Sequence, residues 1–248
     1  MISIVIPVLN EESFIRECLE SLKNQDSAGK YEVIIVDNGS RDNTVRIARQ
    51  IGVKVVFCSR QGVTHARQAG AEAAKGEIVV QADADTVYPH NWLACLKKQF
   101  ILHPGAIAVS GTFIYKNPPW WAGYEYFLRK SINVLAVMIV KRPIIVSGAN
   151  FAFYKSAWVE IGGYEPDKYS SDQFNISSRL SKVGKIAYNR KSYCITSERS
   201  VVRPMREIII AFLHHIYDFT AYNIKTHKIP SDKRKRKWRH SQAEPDLR

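Results

Sequence analysis

The sequence predicts an α/β fold: a mostly parallel sheet flanked by helices, followed by a smaller mixed region. Three observations carry this. Over the first hundred residues, short β-branched runs alternate with helical patterns, an order that calls for crossovers between parallel strands. Several of those runs, such as "IVIPVL" and "VIIV", are apolar throughout rather than alternating, as suits strands buried on both faces. The chain has 248 residues, 46% of them apolar and 24% charged, which is ordinary for a globular protein able to bury a substantial core.

The elements follow in order. "SIVIPVL" is the first strand, after which Asn10 is predicted to cap a helix with Glu11 and Glu12 in its first turn. Phe14, Ile15, Cys18, Leu19 and Leu22 then recur at helical spacing. "YEVIIVD" is the second strand and "DNTVRIARQIG" a helix that stops near Gly52. "VKVVFC" is the third strand, followed by a helix through "THARQAGAEAAKG"; "EIVVQA" is the fourth, followed by "NWLACLKKQFILHP". Beyond these, "AIAVSGTF" reads as a strand and residues 120–142 as a helix dense in aromatics. "IIVSGANFAFYK" returns to strand character, "SSDQFNISSRLSKVG" is a capped helix, and strands are expected around "KIAYNRKSYCITS". A long helical stretch, "REIIIAFLHHIYDFTAYNI", leads into the polar tail "SDKRKRKWRHSQAEPDLR". The organisation predicted is one domain over 1–200, divided near 110, with 201–248 as an apolar helix and basic tail.

A net charge of +13 suits an anionic partner: nucleotide, phosphate, membrane surface or nucleic acid. The cysteines (Cys18, Cys58, Cys95, Cys194) are far apart and form no CxxC pair, so reduced thiols and a cytoplasmic location are expected. "MISIVIPVLNEE" has neither a basic n-region nor a small-residue cleavage site and reads as a strand rather than a signal peptide. The longest apolar run, "INVLAVMIV" at 132–140, is far short of the ~20 residues that span a bilayer.

In an open parallel sheet, ligands bind beyond the carboxyl ends of the strands. Here those ends carry Pro7, Asn10 and Glu11, then Asp37, then Arg60, Gln61 and Gly62, and finally Asp83 and Asp85. Each cluster alone is explained by turn chemistry; all four together call for a site. In "QADADTVYP" the two aspartates lie two apart on an extended chain, so both side chains can reach one cavity. A hard divalent cation, shared with a substrate's phosphates, would relieve their repulsion. Neither GxxxxGK[ST] nor GxGxxG is present to bind phosphate instead.

The stretches "SIVIPVLNEESFIRECLESL", "EVIIVDNGSRDNT", "RQGVTHARQAG" and "GEIVVQADAD" resemble the nucleotide-sugar-binding half of family 2 glycosyltransferases of the GT-A fold. The resemblance is nearly continuous over residues 2–100 and continues more loosely over 145–185. It implies that Asp37 contacts the nucleobase and that Pro7 and Glu11 line the nucleotide pocket. It also implies that Asp83 lies near the ribose and diphosphate, and that Asp85, in the DxD motif, ligates Mg²⁺ or Mn²⁺. Arg67 could face the sugar or hold the fold together. The first half, 1–110, would bind the nucleotide sugar, and 111–200 would serve acceptor and catalysis.

An inverting transferase also needs a base for the acceptor hydroxyl. In the family this is the Asp of a Glu-Asp pair opening a helix after a Gly-Gly-aromatic turn. The chain offers Gly162, Gly163 and Tyr164, then Ser171-Asp172: the aspartate is kept and the glutamate is a serine. Ile176, Leu180 and Val183 follow on the same helical face, so the Asp172 carboxylate is expected to point into the protein. The alternative is that Asp172 merely favours the helix N-terminus. A late histidine that completes the metal shell in many members is missing from "CITSERS", leaving Ser197, Glu198 or water. The Gln-x-x-Arg-Trp signature of processive synthases is also absent, which favours a single transfer.

The apolar stretch 208–219 followed by "KRKRKWRH" fits attachment to an anionic membrane surface, with Trp120, Trp121, Tyr124, Tyr126 and Phe127 as an interfacial patch. Packing of that helix on the sheet, with a solvated tail, is the alternative. Nucleic acid is disfavoured because no nucleic-acid module is recognisable. The reading is thus a metal-dependent, inverting glycosyltransferase with a nucleoside-diphosphate sugar donor. Its acceptor would be a glycan, a lipid-linked sugar or a polyprenyl phosphate, and its place cytoplasmic and peripheral to the membrane. The alternatives are a sugar-phosphate nucleotidyltransferase of related fold and a non-catalytic nucleotide-sugar or membrane-binding module.

Overall fold

The structure, a computed structural model, describes residues 1–23, 25–26, 29–140, 142–165 and 171–200. The expected C-terminal helix and tail at 201–248 lie outside the described residues. The first half runs β1 (Ile2–Val8), α1 (Ile15–Lys23), β2 (Tyr31–Asp37), α2 (Thr44–Ile51), β3 (Lys54–Phe57), α3 (Val63–Ala73) and β4 (Ile78–Gln81). Then come β5 (Thr86–Val87), α4 (Trp92–Leu102), β6 (Ala106–Tyr115) and α5 (Ala122–Val140). The chain continues through β7 (Phe151–Tyr154), α6 (Lys155–Glu160), α7 (Asp172–Leu180) and β8 (Lys185–Thr196), then a 3₁₀ turn at Glu198–Ser200.

One eight-stranded sheet forms in the order β3-β2-β1-β4-β7-β6-β8-β5. β3, β2, β1 and β4 are mutually parallel, β7 is antiparallel to β4 and β6, and β8 runs parallel to β6. Side chains alternate across the pleat, so Ile4 and Ile6 enter one core with Leu19, Leu22, Trp92 and Leu96. Val5, Ile34 and Val36 enter the other, with Ala66, Phe153, Trp158 and Ile176. Helices cover both faces, as the apolar strands require.

The successive strands β1, β2 and β3 march one way from β1, while β4 lies on its other side, so the order switches between β1 and β4. Pro7 sits at that switch. Val5 O accepts from Ala82 N, and β4 pairs with β1 only as far as Val5↔Gln81. Pro7, two residues on, faces the same side, where its missing N–H has no strand to pair with. The two strands part there and leave a crevice.

Three local expectations are corrected. Asn10 does not cap α1: it takes a left-handed conformation (φ 57°), its side chain accepts from Arg41 N, and the helix begins at Ile15. Asn tolerates that conformation better than most residues, which keeps residues 9–14 free as a loop beside the crevice. The strand read over "IIVSGANFAFYK" is confined to Phe151–Tyr154. The strands expected near the end are one continuous β8.

Candidate active site

The two aspartates after β4 are held by two different arginines. Arg67 projects from α3, which lies close on the sheet because a Cβ at Gly70 would collide with Val5 and Val36. Its guanidinium is 2% exposed; Nη2 donates to Asp83 Oδ1 at 2.7 Å and Nη1 to Gly148 O at 3.3 Å. Nε is in ion-pair contact with Asp172 Oδ2, off the line of a regular hydrogen bond, so both atoms lack a conventional hydrogen-bond partner. Burial opposes the Arg67 charge, but Asp172 and Asp83 outweigh it and hold the guanidinium pKa above its usual value. Desolvation conversely pushes the Asp83 carboxyl up, partly offset by Arg67 and reinforced by Asp85 and Asp172.

Asp172 reaches Arg67 through a turn built for close approach. Gly162 and Gly163 both have positive φ, and a Cβ on Gly163 would press on Gln68 of α3. Gln68 Oε1 accepts from Tyr164 N at 2.9 Å, and the Gln81 side-chain amide of β4 donates to the Tyr164 hydroxyl. Ser171 then caps α7, its hydroxyl accepting from Phe174 N at 3.3 Å. Ser171, at the position where the resemblance leads one to expect a glutamate, therefore has a local structural role. Asp172 follows as the first helical residue and is buried, as its helical face implies.

Asp85 is held by a far more exposed guanidinium, that of Arg199. Thr86 of β5 hydrogen-bonds Thr196 of β8 at 3.1 Å, and Ser197 N donates to Asp85 O at 3.0 Å, so the end of β8 forms the wall beside this aspartate. The Ser197 hydroxyl donates to Asp85 Oδ2. Arg199 Nη2 donates to the same oxygen at 2.9 Å and to Glu11 Oε2 at 3.0 Å. Of the two residues considered in place of the missing histidine, Ser197 is at Asp85, whereas Glu198 accepts from Asn117 at 3.4 Å. Arg199 is the residue that sequence reasoning missed. Glu11 is presented by the loop after β1, its N–H donating to Thr44 Oγ1 at 2.7 Å. Burial pushes the Glu11 carboxyl up against the lowering effect of Arg199.

Asp37 ends β2 in a buried position, Oδ1 accepting from Ser40 N at 3.1 Å. Asn38 ties the β3–α3 loop to it, donating to Arg60 O at 2.7 Å and accepting from Gly62 N at 2.7 Å. Pro7, Asp37, Glu11, Asp83 and Asp85 thus share the carboxyl edge of the parallel strands, and Arg67 ties Asp172 to it through Asp83. Beside Asp85 and Arg199 a cavity of about 260 Å³ opens between α1, β5 and Lys116-Asn117.

The fit to a divalent cation follows from the donor set. Among the described residues no three His, Cys, Asp or Glu side chains converge as a finished cage. Asp85, Glu11 and the Ser197 hydroxyl nonetheless put hard oxygens around the Arg199 guanidinium, the two carboxylates against Nη2 and Ser197 Oγ against Nε. Such oxygens suit Mg²⁺ or Mn²⁺, which accept few protein ligands and complete their shells with phosphate and water.

Comparison with solved structures defines the class. The mannosyltransferase PcManGT of Pyrobaculum calidifontis, in complex with GDP-Man and Mn²⁺, matches with a TM-score of 0.74 at 23% identity, over 94% of this chain and 67% of that one. The fold is GT-A. The chain belongs to glycosyl transferase family 2, whose sequence model matches residues 3–161. Glycosyltransferase AglE of Haloferax volcanii is 37% identical over 99 residues, 37% of this chain and 33% of that protein. The undecaprenyl-phosphate 4-deoxy-4-formamido-L-arabinose transferase of Shewanella sediminis is 37% identical over 97 residues, 36% of this chain and 29% of that one. The matched segments thus span about a third of these relatives. Among the described residues no helix is long and apolar enough to cross a membrane.

Proposed function

We propose that the protein is a metal-dependent, inverting glycosyltransferase that moves one sugar from a nucleoside-diphosphate donor to a hydroxyl or a polyprenyl phosphate. The observation that carries this is the convergence of Glu11, Asp83, Asp85 and Asp172 at the β1/β4 crevice, where among the described residues Arg67 and Arg199 are their ion-pair partners. Among the described residues, four carboxylates against these two guanidiniums leave an excess of two negative charges. A diphosphate would add more, so the crevice suits an anionic donor only together with a divalent cation. When bound, that cation stabilises the departing diphosphate as a Lewis acid.

The chain's own residues do the rest. Pro7, Glu11 and Asp37 line the nucleotide side, with residues 1–110 serving the donor and 111–200 the acceptor. Asp83, fixed by Arg67, orients the ribose and diphosphate; Asp85 holds Mg²⁺ or Mn²⁺. The acceptor oxygen attacks the anomeric carbon as its bond to the diphosphate breaks, and Asp172 takes the hydroxyl proton. Arg67 keeps that carboxylate in place through their ion pair. A phosphate acceptor is already anionic and would ask less of the base.

The relative named for undecaprenyl phosphate supports a lipid-borne acceptor. So does α5 with the turn before it, where Trp120 (96% exposed), Tyr124, Phe127, Met138 and Ile139 present apolar surface to solvent. An anionic membrane surface is the partner that this patch and the chain's net charge of +13 suit together.

Nucleoside diphosphate release from UDP-, GDP- and dTDP-sugars, with and without Mn²⁺ or Mg²⁺ and with candidate acceptors present, tests the reading. Asp85→Ala should abolish the metal-dependent part. Asp172→Asn should slow transfer to a hydroxyl by about 10²–10⁴-fold while donor binding persists. Near-normal transfer by Asp172→Asn removes Asp172 as the base. Absence of donor binding across the whole panel removes the transferase reading.

A further inference from the structure

Arg199 occupies the place where the crevice's oxygens would meet a cation. Its Nη2 lies 2.9 Å from Asp85 Oδ2 and 3.0 Å from Glu11 Oε2, and its Nε lies 3.2 Å from Asp85 Oδ2 and 3.3 Å from Ser197 Oγ. A guanidinium bridging two carboxylates does by hydrogen bonding what a divalent ion does by coordination. The two cannot hold the same Asp85 oxygen and the same Glu11 carboxylate together.

Three features make this arginine exchangeable. Its side chain is 46% exposed, so releasing it does not open the core. It stands on a three-residue 3₁₀ turn rather than a long element. Its guanidinium carbon lies 4.4 Å above the Phe14 ring, and it borders the 260 Å³ cavity, which gives the group a surface to pivot on and space to enter. Released there, the guanidinium stays beside the crevice, where its planar fork suits a phosphate. The charge count favours exchange over permanent substitution. With Arg199 fixed in place, a donor diphosphate would approach a site that is still negative. With a divalent cation bound and Arg199 freed, it meets two positive groups.

Resting on the donor-binding reading above, we infer that Arg199 is a displaceable counter-ion. It competes with the divalent cation for Asp85 and Glu11 and, once displaced, contacts the donor's diphosphate, so that cation and nucleotide each bind better in the other's presence. Arg199 thereby becomes a further donor-binding residue of the proposed reaction.

The test is Mn²⁺ binding to the full-length protein, followed by the electron paramagnetic resonance of free Mn²⁺, without nucleotide and then with UDP or GDP. Arg199→Met should bind Mn²⁺ alone about tenfold more tightly than wild type, and adding Asp85→Ala should erase that gain. In the presence of Mn²⁺ the same variant should bind the preferred nucleoside diphosphate more weakly, and Arg199→Lys should recover part of that loss. Unchanged or weaker Mn²⁺ binding by Arg199→Met overturns the proposal, because a competitor cannot be removed without effect. If neither protein binds Mn²⁺ yet a nucleotide still binds, Arg199 is a permanent counter-ion: the exchange falls and donor recognition stands. If neither Mn²⁺ nor nucleotide binds, both readings fall.

Discussion

Asp83 and Asp85 are two residues apart in the chain, yet they live in different electrostatic worlds. Asp83 shares Arg67 with Asp172, and the guanidinium between them is buried under α3 and α7. Asp85 shares Arg199 with Glu11 at the mouth of the crevice, where the guanidinium is half exposed. The same chemistry, one arginine between two carboxylates, therefore plays two parts. The buried cluster joins the carboxyl end of β4 to the first residue of α7. The exposed cluster is cheap to open. Burial rather than residue type sets the difference, because desolvated charges lose far more than solvated ones when a partner is removed.

The largest expected effect tests the buried cluster. Arg67→Met keeps much of the side-chain volume but leaves Asp83 and Asp172 facing each other without a counter-charge. Unfolding by urea should report a loss of about 3–5 kcal/mol at neutral pH, the usual result of breaking one side of a buried ion pair. A loss below about 1 kcal/mol would break the comparison, since Arg67 would then be no more structural than Arg199.

How much of this was legible in the sequence follows the distance over which each feature is decided. The four parallel strands could be read because strand character and crossover spacing are local, and so could the aspartates at their ends. Ser171 could be read as the start of a capped helix, since a cap is settled within four residues. Asn10 misled for the same local reason: asparagine suits both an N-cap and a left-handed turn, and its contacts to Ser40 and Arg41 some 30 residues on decide between them. β5 is two residues long and exists by pairing with β8, with Thr86 opposite Thr196. Arg199 was invisible because its partners lie 114 and 188 residues away. Only the return of β8 past β5 brings them together, and no periodicity records that.

A third carboxylate, at the opposite end of the parallel strands, sharpens the contrast. Glu32 Oε1 accepts from Ser3 Oγ at 2.6 Å and from Lys75 N at 2.7 Å, and Ser3 Oγ in turn accepts from Gly76 N at 2.8 Å. Desolvation raises the Glu32 pKa, but the Ser3 hydroxyl, the Lys75 N–H and nearby Lys54 and Lys75 outweigh it, and the net shift is below the ordinary 4.5. Glu11 and Asp83 shift the other way. A carboxylate that ties strands together is satisfied by its donors; those at the crevice are crowded and poorly solvated. Because the folded-state pKa of Glu32 is lowered, its stabilisation is present above 4.5 and lost as pH falls through the folded value. Glu32→Gln should therefore cost about 1 kcal/mol at pH 7, and the gap to wild type should close on acidification below 4.5. A gap that does not change with pH would mean that shape, not charge, holds this corner.

The smallest expected effect belongs to the exposed cluster, and its smallness is the point. Arg199→Met should change unfolding stability by about 0–1 kcal/mol, the range of solvent-exposed ion pairs. At 1 M salt, where the Debye length is ~3 Å, most of that difference should vanish. The buried cluster, shielded by α3 and α7, should keep most of its contribution at the same salt. Urea unfolding of wild type, Arg67→Met and Arg199→Met at low and high salt measures both clusters on one scale. If Arg199→Met proves as damaging as Arg67→Met, and insensitive to salt, the guanidinium over Phe14 is a fixed brace and cannot yield its place to a cation. If its stability cost is slight while Mn²⁺ and nucleotide binding move in opposite directions, the energy of this arginine is spent on ligand exchange rather than on the fold.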